Sequence, residues 1–327
     1  MFRFRARFLF LALLAVVLLT GQSSLAIAQD ASPVASQVAA VCVAPELPPG
    51  TPTPMEEPAP AATPAHDMVT TEVPGSPEAI AEEASPSSDP APAGTPADPE
   101  TSERAIEAVE NVIVCLSTGD YLGFAALITP DYLLSSFGTT NPYDLPVFLE
   151  GFPPQELQSA KDVEFHADGR ISVDVTTVLG GTQVDRFRAY FVDVGGQLLL
   201  DEEVSLPVEG ADVTIDVVMR DYAFDMSQVT VPVDALVAFT LTNQGQFPHE
   251  FAVVRLPEGV SVEQVLSDPG LEEQVQFIGG AFAEPGGTGY LALDGLEAGT
   301  YTAVCFVDVP EGVPHIVRGM VAEFTVE

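Results

Sequence analysis

The chain has 327 residues, enough for two domains of ordinary size, and sets 11 Lys+Arg against 48 Asp+Glu, a formal net charge of −37. Three of the basic residues, Arg3, Arg5 and Arg7, stand at the extreme N-terminus. So acidic a chain excludes nucleic acid and anionic membrane surfaces as partners bound by bulk electrostatics, since both need clustered Lys and Arg. A hydrophobic content of 46% still argues for packed cores. There is one lysine, Lys161, no tryptophan, three cysteines and four histidines, few enough to account for one by one.

The segment MFRFRAR is a positive n-region, FLFLALLAVVLLTG an apolar h-region, and Ala26-Ile27-Ala28 a small-x-small cleavage site. Residues 1–28 are therefore expected to be a signal peptide that exports a bacterial protein to a secreted or extracytoplasmic location, where disulfides persist. From Asp30 to Glu100 there are 12 acids, no Lys or Arg, and 16 of the 29 prolines. Such chain cannot bury enough apolar surface to offset its ordering entropy, so 29–100 is expected to be a disordered, extended linker, with His66 a solvated residue of it.

A middle domain is predicted over 101–208. In SERAIEAVENVIVCLSTG, Ala105, Ile106, Val109, Val112, Ile113 and Leu116 form one helical stripe, with Ser102 as N-cap and Gly119 as stop. A second helix fits DYLGFAALIT, with Asp120 as cap and Pro130 beyond its end; Asp131 is read as another cap. Helical pieces are expected at Leu145–Glu150 and Gln155–Ser159. The period then changes to two: DVEFHAD, RISVDVTTVLG, TQVDRFRAYFVDV and QLLLDEEVSL, parted by DG, GG and GG, read as an antiparallel meander. His166 is expected on the strand face of Asp162 and Glu164, as a surface residue rather than a catalytic one.

Cys115 lies off the centre of its helix stripe, and Cys42 sits in a segment with no core of its own. In an oxidising compartment the simplest expectation is a Cys42–Cys115 disulfide tying the linker to this helix.

Helices followed by a meander ending in YFVDVGGQLLLDEE resemble the SnoaL-like, nuclear transport factor 2-like family over about Ser102–Leu206. The resemblance implies a cone-shaped α+β fold with a pocket between helices and sheet. Some members are isomerases or cyclases that use an Asp/His pair. Here no residue combination demands an enzyme, and no catalytic residue is assigned.

From Ala211 to the end the pattern is β throughout, with VTIDVVMRDYAF, QVTVPVDALVAFTLTN, HEFAVVRL, GYLALDGLEAGTYTAVCF and MVAEFTVE as strands and VEQVLSDPGLEEQV as a helical excursion capped by Ser261. This predicts a β-sandwich over 211–327. Within it stand His249 at a strand start, Cys305 at a strand end, His315 ten residues on, and Met320 before the last strand. Each alone has an ordinary explanation: a strand-end histidine, a buried thiol, a core methionine. Together they are the ligand types of a type 1 copper site, in which soft sulfur suits Cu(I), imidazole suits Cu(II), and two imidazoles and a thiolate take a weak axial thioether.

TNQGQFPHEF and AGTYTAVCFVDVPEGVPHIVRGMVAEFTV resemble the ligand segments of the plastocyanin/azurin-like cupredoxins, all-β Greek-key sandwiches that carry blue copper. The resemblance implies His249 and His315 as imidazole ligands, Cys305 as thiolate and Met320 as axial ligand, with Asn243 joining the two ligand loops by hydrogen bonds. Two features depart from the family. Nine residues separate Cys305 from His315, with Pro310 and Pro314 among them. Glu250 follows the first histidine where plastocyanins have Asn, and a carboxylate there would favour the oxidised metal. Zinc is an alternative occupant of a His₂Cys set.

The function expected is one-electron transfer through copper, with a redox partner bearing a basic docking surface and an apolar collar around His315 (Val313, Pro314, Ile316, Val317, with Phe247 and Pro248) as the contact. The alternatives are a copper store or chaperone, or a small-ligand binding module. A copper oxidase is disfavoured, because no further His cluster exists to build a second centre.

Overall fold

Asp98 opens the first helix, not Ser102. In the computed structural model, which describes residues 42–45, 94–308 and 312–327, α1 runs Pro99–Ser117. The Asp98 side chain accepts a hydrogen bond from the Thr101 N–H at 3.0 Å, and Pro99 takes the first helical position, where its missing N–H costs nothing. Ser102 lies inside the first turn and donates its hydroxyl to the Asp98 carbonyl. Residues 94–100, expected to belong to the linker, thus form β1 (Thr95–Pro96) and the helix start. The signal segment, most of the linker with His66, and Pro310 lie outside the described residues. No helix among the described residues is long and apolar enough to cross a membrane.

α2 (Tyr121–Ala125) is capped by Asp120 as expected but is short. Thr129 caps a third helix, α3 (Pro130–Phe137), by accepting from the Tyr132 N–H at 3.0 Å, so Pro130 starts a helix and Asp131 sits in its first turn rather than capping it. After α4 (Leu145–Leu149), Gln155–Ser159 is strand, not helix: it is the first half of β2 (Gln155–Phe165), where pairing with β3 (Ile171–Leu179) overrides local propensity. β4 (Gln183–Val194) and β5 (Gln197–Leu206) complete the antiparallel meander. Its two Gly-Gly turns hold Gly180, Gly181, Gly195 and Gly196 at positive φ.

The first core lies where Val109, Ile113 and Leu133 of the helices meet Val173, Val175, Phe191 and Leu200 of the sheet. Cys42 is joined to Cys115 by a disulfide. Cys115 is completely buried, contrary to its off-stripe angle, because Cys42 and Ala44 pack over that side of α1.

His166 is also buried rather than at the surface. Its Nε2 lies 2.8 Å from Ser172 Oγ and its ring centroid 5.3 Å from that of Tyr190. A bulge with Asp162 at φ 53° breaks the strand alternation, and β1 pairs over this end of β2.

The second unit is a two-sheet sandwich. One sheet orders β12 (Thr288–Leu293), β9 (Val237–Asn243), β6 (Val213–Arg220) and β7 (Ala223–Met226). The other orders β11 (Gln276–Ala283), β10 (His249–Arg255), β13 (Gly299–Val304), β14 (Val321–Val326) and β8 (Thr230–Val231). Phe239, Phe251, Tyr301 and Phe324 fill the space between them. The segment VTIDVVMRDYAF is not one strand: it folds back at Asp221–Tyr222, with Arg220 facing Ala223. The helical excursion is α5 (Val262–Ser267), closed by a Ser261–Gln264 capping box, and α6 (Pro269–Glu272).

The two units share a sheet. Ala292 and Leu293 of β12 pair with Val184 and Gln183 of β4, making one nine-stranded sheet. Gln183 Oε1 accepts the Gly280 N–H at 2.9 Å, and Thr182 accepts from the Asp294 N–H at 2.9 Å. A Cβ on Gly279 would lie 2.7 Å from both Gln183 Oε1 and Leu293 Cδ2, so a side chain there displaces the ends of both.

Candidate metal centre

Two strand ends and a 3-10 turn converge at one end of the sandwich. β10 begins with His249, β13 ends one residue before Cys305, and His315 opens the 3-10 turn His315–Arg318. The interval between Cys305 and His315 is closed at its base: the His315 N–H donates to Val307 O at 2.9 Å and the Ile316 N–H to Cys305 O at 2.8 Å. Asp308 and Pro314 add an antiparallel bridge. Nine intervening residues therefore leave the two ligand positions locked together.

The donor atoms face one another. His249 Nδ1 lies 3.0 Å from His315 Nδ1, and Cys305 Sγ lies 3.4 Å from His315 Nδ1 and 3.9 Å from His249 Nδ1. All three residues are fully buried, and their donor atoms fall within 4.8 Å of one another. Met320 is fully buried in the same core cluster as Cys305, and its N–H donates to His315 O at 3.2 Å.

The charge states suit a cation. Burial pushes His315 down to about 4, with His249 beside it acting in the same direction, and burial also lowers His249 against the pull of Asp221. Both imidazoles are thus neutral bases at neutral pH, with lone pairs to offer. The Cys305 thiol is pushed up to about 12 by burial, so only a bound cation makes it a thiolate there. Two sp² nitrogens 3.0 Å apart need a proton or a metal between them. Two imidazoles and a thiol whose donor atoms lie within 4.8 Å of one another fit copper.

Asp221, which the sequence reading did not single out, holds the first histidine. Its Oδ1 lies 3.2 Å from His249 Nε2 and also accepts from the Gln246 N–H at 2.9 Å. This fixes the tautomer that leaves Nδ1 free for a metal. Tyr222, at φ 69°, sets its ring edge-on to His315 at 5.2 Å, under Arg318. The only signal for this pair was a turn without Gly or Asn, inside an unbroken β pattern. Gly245 leaves the room they need: a Cβ there would collide with Asp221 and lie 2.6 Å from His249 Nε2.

Asn243 is placed differently from the expectation. Its Nδ2 donates to Phe247 O and to Ala283 O, each at 2.8 Å, and its Oδ1 accepts from the Gly245 N–H at 2.8 Å. It therefore ties the His249 loop to β11, the strand paired with β10, and among the described residues none of these bonds reaches the Cys305 loop.

Glu250 brackets the thiol. Its N–H donates to Cys305 Sγ at 3.4 Å and its carboxyl accepts from the Phe306 N–H. Burial pushes the carboxyl up to about 8, so near neutral pH it is mainly the neutral acid. The negative charge expected beside the site is largely absent. Of the expected collar, Phe247, Pro248, Val313 and Pro314 are half-buried and Val317 is exposed, whereas Ile316 is buried in a small core behind β10 and β13.

Fold and site together define a β-sandwich with a buried copper-type donor set at one end. Among solved structures, residues amounting to 36% of this chain are similar to a reduced auracyanin from the photosynthetic bacterium Roseiflexus castenholzii, at 23% identity over 99% of that chain and a TM-score of 0.28. Auracyanin A, described as a "blue" copper protein from Chloroflexus aurantiacus, is 21% identical over 35% of this chain and 98% of its own, with a TM-score of 0.26. Auracyanin B is 18% identical over 37% of this chain and 92% of its own, with a TM-score of 0.27. No family model and no curated protein sequence matches the chain, so neither supports the SnoaL-like reading of residues 102–206.

Proposed function

We propose that the protein is an exported one-electron carrier built on a type 1 copper centre, which His249, Cys305, His315 and Met320 would hold. The observation that carries this reading is the convergence of three fully buried donor atoms within 4.8 Å. Copper held there supplies a reversible one-electron couple. The chain's part is to keep the donors still. Asp221 orients His249, the Glu250 N–H holds the Cys305 sulfur, and the Val307 and Cys305 carbonyls pin the His315 turn. Donors fixed in this way need little rearrangement between oxidation states, which favours carriage over release.

Export is supported by the signal-like N-terminus and by the Cys42–Cys115 disulfide. Electrons would pass at the half-buried collar of Phe247, Pro248, Val313 and Pro314 above His315, with exposed Val317 at its rim. The excess of acid favours a redox partner with a basic patch. The preceding unit is read as SnoaL-like on its helices-then-meander order.

Visible spectroscopy of the copper-loaded chain tests the reading. An intense thiolate-to-copper band, bleached by ascorbate with the metal retained, is expected. A Cys305→Ser variant that keeps the band overturns the ligand set, and copper lost on reduction moves the assignment to storage.

A further inference from the structure

A cavity of about 500 Å³ lies where the helix-and-meander unit meets the sandwich. Val109, Phe187 and Phe191 wall it on one side, and Glu250, Phe282 and Tyr290 on the other. Its size falls within the range of small-molecule sites and its lining is mainly apolar. It is built by both units, because β4 and β12 pair beside it.

The charged groups of the wall are the carboxylates of Asp185, Glu202 and Glu203, with Arg186 as the one cation among the described lining residues. Tyr132 donates to Glu203 at 2.7 Å, Arg170 to Glu202 at 2.6 Å, and Gln183 to Asp185 at 2.7 Å. Glu250 differs. One carboxyl oxygen accepts from the Phe306 N–H, while Oε2 is buried without a hydrogen-bond partner. A buried oxygen left bare is costly, and native proteins supply it with a partner.

We propose that this cavity binds a neutral, largely apolar small molecule carrying one hydrogen-bonding group, with Glu250 as its polar anchor. The acidic wall rejects anionic amphiphiles. The site also reports to the metal centre: the backbone N–H of Glu250 donates to Cys305 Sγ, and His249 is its chain neighbour, so an occupant that shifts Glu250 shifts two donors. This second step rests on the copper reading; the binding step does not.

The matched fluorophores N-phenylnaphthylamine, which is neutral with one N–H, and anilinonaphthalene sulfonate, its anionic analogue, test both steps on the full chain. The neutral probe is expected to bind the metal-free protein saturably at one site, with the sulfonate at least about tenfold weaker. Ser205→Trp, an exposed position on the cavity wall, and Glu250→Leu are each expected to weaken the neutral probe about tenfold. Equal binding of the two probes, or affinity unchanged in both variants, overturns the binding site. In the copper-loaded chain, saturation with the neutral probe is expected to shift the thiolate-to-copper band; a bound probe that leaves the band unmoved overturns the coupling. A chain that binds the probe but takes up no copper sinks the copper reading and leaves the cavity standing.

Discussion

Asp221 Oδ1 lies 3.2 Å from His249 Nε2 across a turn that no glycine marks, so the carboxylate that orients this histidine comes from a strand pair 28 residues earlier in the chain. The same turn places Tyr222 against His315. One hairpin end therefore braces both imidazoles.

Replacing Asp221 by Ala is expected to lower copper affinity by about 10- to 100-fold, since an orienting partner of a ligating histidine is removed. Chelator competition monitored at the visible band measures it. Unchanged affinity would show that the Asn243 network alone positions the histidine.

Met320→Leu is expected to leave the thiolate-to-copper band in place and to raise the reduction potential, because loss of a donor penalises the higher oxidation state more. Spectroelectrochemical titration of wild type and variant decides it. Loss of the band altogether would instead mean that Met320 is needed to assemble the site.

Gly245→Ala is expected to destabilise the sandwich by about 1–3 kcal/mol and to weaken metal binding, since the added methyl meets Asp221 and His249 together. Denaturant unfolding and copper titration of the same variant measure the two effects.

The Cys42–Cys115 disulfide spans 73 residues, and its loss in a Cys42→Ser, Cys115→Ser double variant is expected to cost about 4 kcal/mol in the chain-entropy model. Thermal unfolding is the measurement. The copper band should survive, because Cys305 is in the other unit and takes no part in the bridge.

Acid should loosen the helical unit first. The Asp98 carboxyl is held below its usual 3.8 by hydrogen bonds from Thr101, and that of Asp193 by Arg104 at 2.7 Å and the Gly196 N–H. Carboxyls lowered by folding contribute stability that is present above the unfolded value and lost as pH falls through the lower folded one. The unfolding midpoint should drop below about pH 4, and less steeply in Asp193→Asn. An identical acid profile in that variant would remove Asp193 from the account.

Most of the meander was legible because strand alternation and Gly-Gly turns are local signals, and β3, β4 and β5 follow them. Gln155–Ser159 was not, since five polar and apolar residues suit either period until β3 pairs with them. His166 was misplaced for a related reason: alternation counts residues, and the bulge at Asp162 inserts an extra one. The ligand types were visible because copper chemistry demands them. The groups that hold those ligands were not, because Asp221, Tyr222 and the partners of Asn243 are set by strands distant in the chain.

Composition and pattern alone determined the acidity of the chain, the change from helices to β structure, and four residues of the types that hold copper. Only the tertiary structure decided that three of them meet within 4.8 Å, that Glu250 is buried as a neutral acid, and that the two units share one sheet over a common cavity. Residue type and period are properties of neighbours along the chain. Convergence, burial and pairing between units depend on which distant strands lie side by side, and no local pattern records that.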